Sequence, residues 1–157
     1  MARGSKVFRA EDVPESNATG YPEPFRVINM KRWARRLGDF AGLKNFGVNQ
    51  VRIAPGGQSS SRHAHKVQDE IVLVMEGEIT LETDAGQEKL QPGMWVGFPA
   101  GTGDAHRLIN QTDRDVVFLV IGDRTPGEEG TYPDIDLHAR SEPDGTWRYF
   151  HKDGTPY

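Results

Sequence analysis

Residues 57–77 read GQSSSRHAHKVQDEIVLVMEG and contain three candidate metal ligands, His63, His65 and Glu70. His63 and His65 are two positions apart, so in a β-strand both imidazoles point to the same face. Imidazole is the commonest metal ligand in proteins, and two on one face can converge on a single ion. Glu70 follows His65 at an odd offset, which in one continuous strand would place it on the opposite face. We therefore expect a turn or bulge at residues 66–69 that brings the carboxylate to the histidines.

A fourth candidate ligand, His106, begins another apolar run after the turn sequence at residues 99–103. We expect it to reach the same ion from a different strand. Three nitrogens and one oxygen suit one divalent transition metal (manganese, iron, cobalt, nickel, copper or zinc) better than calcium or magnesium, which prefer oxygen ligands. The chain contains no cysteine, which excludes a thiolate ligand and a disulfide framework. The spacing does not choose among these metals.

Short apolar runs rich in Val and Ile occupy residues 45–122 and are separated by turn sequences every ~8–12 residues, a spacing that predicts an all-β sandwich or barrel. The segment 123–145 is rich in loop-forming residues, and a last strand is expected at 146–150. The other predicted strands span residues 46–53, 70–75, 78–83, 88–90, 94–98, 106–110 and 116–121.

Two further predictions concern the strand that follows the histidines. Glu76-Gly77 separates two strand runs and predicts a tight hairpin between them. Residues 71–75, IVLVM, are apolar on both faces. This pattern favours a strand buried on both sides, one face of which meets a second sheet or another subunit.

The N-terminal part of the chain is less regular. Residues 1–24 are mostly polar and are interrupted by proline and glycine, so we expect an extended arm. A single domain is expected over residues 25–157, with its core at about 45–122. The basic run KRWARR at residues 31–36 predicts a solvent-facing rim. The glycines of residues 37–47 disfavour a helix there.

The composition argues against several classes of partner. Nineteen Lys and Arg against 23 Asp and Glu give a net charge of -4, so no global positive field attracts nucleic acid or anionic lipid. The segments on either side of the strand region lack a helix-turn-helix pattern. No apolar stretch approaches the ~20 residues of a membrane helix, and the first residues lack the apolar core of a signal peptide. We therefore expect a cytoplasmic protein whose partner is a small molecule.

Residues 57–77 resemble the first motif of the cupin superfamily, in which Gly, five residues, His-x-His, four residues, Glu, six residues and Gly follow in order. Residues 93–110, GMWVGFPAGTGDAHRLIN, are similar to the second cupin motif, with Gly, Pro-x-Gly, His and Asn in order. They depart from it once, because four residues separate Gly101 from His106 where two are usual. Looser similarity near both ends of the chain indicates a small bacterial single-domain cupin.

This resemblance implies a double-stranded β-helix, a jelly-roll barrel of two antiparallel sheets that often pairs into a homodimer. In cupins that bind a metal, the ligands occupy the positions that match His63, His65, Glu70 and His106. The open coordination positions then face a pocket inside the barrel.

Two classes of function follow from the resemblance. The first is a metal-dependent enzyme acting on a small organic molecule, either a dioxygenase or a sugar isomerase or lyase. The ion would act as a Lewis acid or, if it is iron, as an oxygen-activating centre. The second is a non-catalytic barrel that binds or senses a sugar or a small acid. Serine chemistry is not indicated, because the chain has no G-x-S-x-G elbow.

Most of the other notable side chains are expected to have structural roles. Asn110 is expected to make hydrogen bonds at one end of the barrel. His138 and His151 are expected to lie at the surface or in satisfied positions. Tyr132 and Gln68 are candidate pocket groups. The aromatic residues expected in the core are Trp95, Phe98, Phe118, Trp147 and Tyr149.

Overall fold

A computed structural model describes residues 4–157, so residues 1–3 of the predicted arm lie outside the described part. The α-helix in this range, α1, spans Leu37–Ala41, and no helix there has the length and apolarity of a membrane span. The strands are β1 (Glu15–Ser16), β2 (Arg32–Arg36), β3 (Phe46–Ile53), β4 (Ala64–His65), β5 (Glu70–Glu76), β6 (Ile79–Thr83), β7 (Gly86–Leu90), β8 (Trp95–Phe98), β9 (Arg107–Ile109), β10 (Val116–Asp123), β11 (Glu129–Tyr132), β12 (Leu137–Ser141) and β13 (Trp147–Phe150).

The described strands form a jelly roll, and the all-β prediction is confirmed. One sheet has the order β1-β2-β3-β10-β5-β8, while β7-β6-β9 and β13-β12-β11-β4 form two smaller sheets. An isolated bridge between His63 and His106 joins the chain next to β4 to the chain next to β9, and a second bridge pairs Gln58 with Ile109 of β9. Alternate side chains of the strands point inward and exclude water from a common core. That core contains Val51, Ile53, Val72, Val74, Ile79, Leu81, Leu90, Leu108, Val116 and Phe118.

The hairpin predicted at Glu76-Gly77 is wrong. The strand before it, β5, pairs with β10 and β8, whereas β6 pairs with β7 and β9. Gly77 has a φ of 77°, and a Cβ there would lie 3.0 Å from Val116 Cγ2. Turn residues indicate that the chain changes direction, but not which strand it pairs with next. Here the turn carries the chain from the large sheet to a smaller one.

In the single chain, one face of strand β5 is buried and the other is exposed. Val72 and Val74 point into the core, whereas Ile71 and Met75 on the opposite face are exposed. Trp95 on the adjacent strand β8 is 55% exposed, so its predicted core position is wrong. Phe118, by contrast, is buried as predicted. A large apolar face therefore remains uncovered on the outside of this sheet.

Strands β11 and β12 form an antiparallel pair inside the segment that was predicted to be loop. Their inward residues Tyr132, Leu137 and Ala139 form a second small core. The sequence pattern misses these strands because both are short and are flanked by Pro126, Pro133 and Pro143, which are typical of loops. The short helix α1 also differs from prediction, and Gly42 ends it with a φ of 82°.

Asn110 makes the hydrogen bonds predicted for it. Its fully buried side chain donates to the carbonyl oxygens of Ile53 and Arg114 and accepts from the backbone and hydroxyl of Thr112. We expect Asn110→Leu to lower the free energy of unfolding by about 1–3 kcal/mol or more, because it strands these buried groups. Urea denaturation measures the loss, and Asp113→Leu, at an exposed position of the same turn, is the control. An unchanged midpoint would contradict the assigned role.

Candidate metal centre

Three strand regions bring the predicted ligands together. His63 and His106 face each other in a backbone bridge, with N–H to carbonyl distances of 3.1 and 2.8 Å. His65 ends β4, which pairs with β11. Glu70 begins β5 and lies between β8 and β10. The backbone of all four residues is therefore held by hydrogen bonds between strands. This includes His106, even though the turn between Gly101 and His106 is longer than usual.

The functional atoms of these residues converge. His63 Nε2 lies 3.2 Å from His65 Nε2. The Glu70 carboxylate lies 3.7 Å from His65 Nε2 and 3.5 Å from His106 Nε2. One ring nitrogen from each of the three histidines lies within 4.8 Å of the others. The arrangement offers three nitrogens and one oxygen around a single point.

The donor set fits a divalent transition metal. Both ring nitrogens of His106 are buried without a hydrogen-bond partner among the described residues. Its Nε2 approaches Glu70 but lacks hydrogen-bond geometry. A buried polar atom without a partner is unfavourable, and coordination of an ion by Nε2 would satisfy it. Nitrogen and carboxylate ligands without sulfur are typical of the metals named above.

The ring of His63 is held in one orientation. Its Nδ1 lies 2.9 Å from the carbonyl oxygen of Ser61 and 3.2 Å from Ser60 Oγ. A proton on Nδ1 can be donated to that carbonyl, which leaves Nε2 unprotonated and free to bind a metal. On the other side, the ring stacks on Tyr132 at 5.6 Å between centroids. Tyr132 thus supports the candidate site from behind a ligand.

Glu128 is a buried carboxylate beside the candidate site that the sequence did not reveal. Its side chain is fully buried and accepts hydrogen bonds from the backbone N–H groups of Lys66, Val67 and Gln68. These residues form the turn that was predicted between His65 and Glu70. Glu128 Oε1 also lies 3.3 Å from His65 Nδ1. The carboxylate therefore shapes the turn and lies where it can orient a ligand.

The charges in the cluster shift one another's protonation. Burial, together with the nearby rings of His65 and His106, lowers the pKa of His63 to about 4. Burial also acts to lower the pKa of His65, but Glu70 and Glu128 outweigh it and raise that pKa. Burial acts to raise the pKa of Glu70, yet His106 and His65 hold it well below its usual value. The Glu70 carboxylate is therefore ionised at neutral pH. As the pH falls, His65 becomes protonated before His63 does.

We expect any bound metal to leave as the pH falls below about 6. A ligating imidazole must be unprotonated, so protons and metal compete for the same nitrogens. The raised pKa of His65 brings that competition to a higher pH than His63 alone would. Dialysis at stepped pH values followed by elemental analysis measures the loss. Full retention of metal at pH 4 would contradict histidine ligation.

Two adjoining cavities of about 330 and 1110 Å³ meet the cluster. His63 and His106 line the smaller cavity, His65 and Gln68 line the larger one, and Glu70 lines both. Gln68 is therefore a pocket residue, as predicted. Trp147 also lines both cavities and is 40% exposed, so its predicted core position is wrong.

The basic run of the sequence is not simply a solvent-facing rim. Arg32 and Arg36 line both cavities. The run forms strand β2, in which alternate side chains point to opposite faces. Arg32 and Arg36 therefore point toward the cavity side of the sheet, although Arg36 is exposed, and a count of charges along the sequence does not show this.

A jelly roll with histidines and a glutamate converging beside an internal pocket is the architecture of the cupins. The chain belongs to the cupin superfamily, and the family model described as "Cupin domain" matches residues 49–122. A sugar phosphate isomerase of the cupin superfamily from Silicibacter pomeroyi is 38% identical, with 97% of this chain and 96% of that chain covered and a TM-score of 0.92.

Other solved structures are less similar. A protein provisionally named a sugar phosphate isomerase, from Acidithiobacillus ferrooxidans, is 31% identical over 80% of each chain, with a TM-score of 0.71. The polyketide cyclase RemF from Streptomyces resistomycificus is 21% identical over 75% of this chain and 78% of that chain. Its TM-score of 0.62 shows a shared fold alone. No curated protein matches the chain.

Proposed function

We propose that the protein is a metal-dependent cytoplasmic isomerase that acts on a sugar phosphate. The observation that carries the proposal is the convergence of His63, His65, His106 and Glu70 on the wall of an internal cavity. The similarity to the Silicibacter pomeroyi isomerase extends over nearly the whole chain and supports this reaction class over the other cupin reactions. Isomerisation moves a hydrogen within the substrate and needs no oxidant or second substrate.

In this proposal the three histidines bind one divalent metal through their Nε2 atoms, and Glu70 supplies a carboxylate oxygen. The metal, when bound, supplies Lewis-acid polarisation of a substrate oxygen. Ser61 holds the tautomer of His63 that leaves Nε2 free. Apolar side chains on the cavity wall, including Val72 and Leu108, limit the access of water to the substrate.

The arm contributes one wall of the smaller cavity. Residues 17–21 line it, and the Tyr21 hydroxyl lies 3.4 Å from that of Tyr132. The ring of Tyr21 also packs at 5.8 Å from Tyr149. We therefore propose that residues 25–157 act as one domain and that the end of the arm encloses the substrate against it.

The proposal is tested by supplying the purified protein with each candidate divalent metal and a panel of aldose and ketose phosphates. Proton NMR in deuterated water should show conversion between aldose and ketose forms with at least one metal. Oxygen uptake is recorded in parallel, and a variant without His63 and His65 is the control. Binding without turnover would support the sensing barrel instead. Substrate-dependent oxygen consumption would support a dioxygenase.

We also propose that the protein forms a homodimer through the exposed face of the large sheet. Ile71, Met75, Met94 and Trp95 are each exposed by 39% or more in the single chain. Ile71, Met75 and Trp95 lie on the paired strands β5 and β8, and a contiguous apolar patch of this kind is typical of a protein interface. A second copy presenting the same patch would bury both, as a two-fold interface requires.

We expect Trp95→Glu to convert the dimer into a monomer, because it places a charge in the centre of the buried face. Light scattering coupled to size-exclusion chromatography measures the mass. Val27→Glu is the matched control, since Val27 is also an exposed apolar residue but lies outside β5 and β8. A wild-type protein that is monomeric at micromolar concentration would contradict the proposed dimer.

A further inference from the structure

Strand β2 places two arginines on the inner side of the large sheet. Its register pairs Arg32 with Ile53, Ala34 with Val51 and Arg36 with Asn49. Ile53 and Val51 are fully buried, and paired residues of adjacent strands share a face of the sheet. Arg32 and Arg36 therefore project to the interior side, where both line the cavities that meet the histidine cluster.

Among the described residues, Arg32 and Arg36 lack ion-pair partners of the kind that Arg52 and Arg62 have. Arg52 pairs with Glu15 and Asp115, and Arg62 pairs with Asp84 and Asp134. Within residues 4–157, no side-chain hydrogen bond or ion pair involves the guanidinium of Arg32 or Arg36. Arg32 is partly buried, and a partly buried cation is costly unless an anion neutralises it.

The surroundings of Arg32 offer little negative charge to its guanidinium. Arg32 is partly buried, and desolvation lowers the pKa of its guanidinium, although arginine stays protonated in proteins. Among the described residues that line the smaller cavity, Glu70 is the one carboxylate. Glu70 is already engaged with the histidines. The larger cavity also contains Asp39, Asp123 and Glu142, of which Asp39 and Glu142 pair with Arg124 and Arg148. In the smaller cavity, Glu70 is therefore the one described carboxylate that faces the positive charge of β2.

We propose that Arg32 and Arg36 form an oxyanion site that holds the phosphate group of the substrate. The planar guanidinium donates two parallel hydrogen bonds to phosphate oxygens, and two such groups match a dianion. Arg32, Arg36, His63, Glu70 and His106 line one cavity of about 330 Å³. A small sugar phosphate anchored at the arginines therefore presents its opposite end to the candidate metal ligands.

This inference rests on the proposed function for the identity of the ligand, but its geometry is independent of turnover. The chain offers a matched control in Arg35, which lies on the same strand between the two. Arg35 points to the other face, where its guanidinium donates to the backbone carbonyl of Val13. Replacing Arg35 by Gln removes the same charge from β2, and neither Arg35 nor Val13 lines the smaller cavity.

The experiment titrates inorganic phosphate into the purified protein by calorimetry, both as isolated and after removal of metal. We expect one phosphate per chain, with an affinity that falls as the salt concentration rises. Arg32→Gln, Arg36→Gln and the double variant should bind phosphate about tenfold more weakly or worse. Arg35→Gln should bind as the wild type does. Arg36 is exposed, so its single variant keeps the test decisive if the Arg32 variant misfolds.

Equal phosphate affinity in the wild type and the Arg36→Gln variant, or no binding by the wild type, would overturn the inference. The same measurements distinguish failure of the phosphate site from failure of the proposed isomerase activity. Loss of phosphate binding in the variants, with no isomerisation by the wild type, would leave the oxyanion site standing without the activity. Isomerisation by the double variant with an unchanged KM would leave the activity standing without this site.

Discussion

Replacing His63 and His65 together by Ala is expected to remove stoichiometric metal from the protein. The two rings supply adjacent Nε2 atoms 3.2 Å apart, which is half of the four-ligand set. His106 and Glu70 alone could not hold an ion against solvent and chelators, since structural and catalytic sites use at least three protein ligands. Elemental analysis should therefore fall from about one ion per chain to background, and activity with any metal should be lost with it.

The control for this variant replaces His138 and His151 by Ala. Both are histidines of the same chain, but His138 pairs with Glu129 and His151 pairs with Asp136, away from the cluster. Circular dichroism checks that both double variants fold. If the His63 and His65 variant still held one ion per chain, the metal would be bound elsewhere.

Replacing Glu128 by Ala should cause the second large effect, on stability and on metal affinity together. Three backbone N–H groups lose their acceptor inside the protein, at about 1–3 kcal/mol for each group left unsatisfied. A total loss of about 3 kcal/mol or more corresponds to a decrease in Tm of about 6–12 °C for a chain of this size. His65 also loses the carboxylate beside its Nδ1, so metal affinity should fall by about 10–100-fold.

The adjacent Glu129 provides the comparison. It pairs with Lys66 and His138 in a more exposed position, where an ion pair contributes about 0–1 kcal/mol. Glu129→Ala should therefore change Tm and metal content little. Equal effects of the two substitutions would show that Glu128 has no special role. Normal metal affinity in a destabilised Glu128 variant would limit that role to the turn.

Much of the strand region follows from the sequence, because period-two patterning and turn residues are local signals. The predicted strands around Phe46–Ile53, Glu70–Glu76 and Val116–Asp123 are all present. The same local signals do not encode pairing. For this reason the local pattern at Gly77 predicts a hairpin, although the turn connects two sheets.

The candidate ligands could be predicted because their spacing is itself a short-range pattern. His63 and His65 share a face, and the turn that returns Glu70 to them was required by its odd offset. The supporting groups could not be found in this way. Glu128 reaches the turn from about 60 residues away, as the separations of its hydrogen bonds show. Its position depends on the pairing of β11 with β4, which no local pattern indicates.

The local sequence also does not indicate which face of β2 its arginines occupy. A run of basic residues is usually a solvated surface, so RWARR alone predicts an exposed strand or rim. The alternation has meaning only when the partner strand is known, because the buried residues Val51 and Ile53 define which face is inside. Trp95 shows the converse. An aromatic residue in a strand predicts a core position, but Trp95 lies on an exposed apolar face, and a local pattern does not distinguish the two.

The central claim, a single metal held by three histidines and one glutamate, is tested most directly by anomalous diffraction from metal-loaded crystals at the absorption edge of the bound ion. We expect one peak per chain, at about 2.0–2.2 Å from the Nε2 atoms of His63, His65 and His106 and from a carboxylate oxygen of Glu70. A fully occupied peak at any other place, with none between these four side chains, would contradict the assignment.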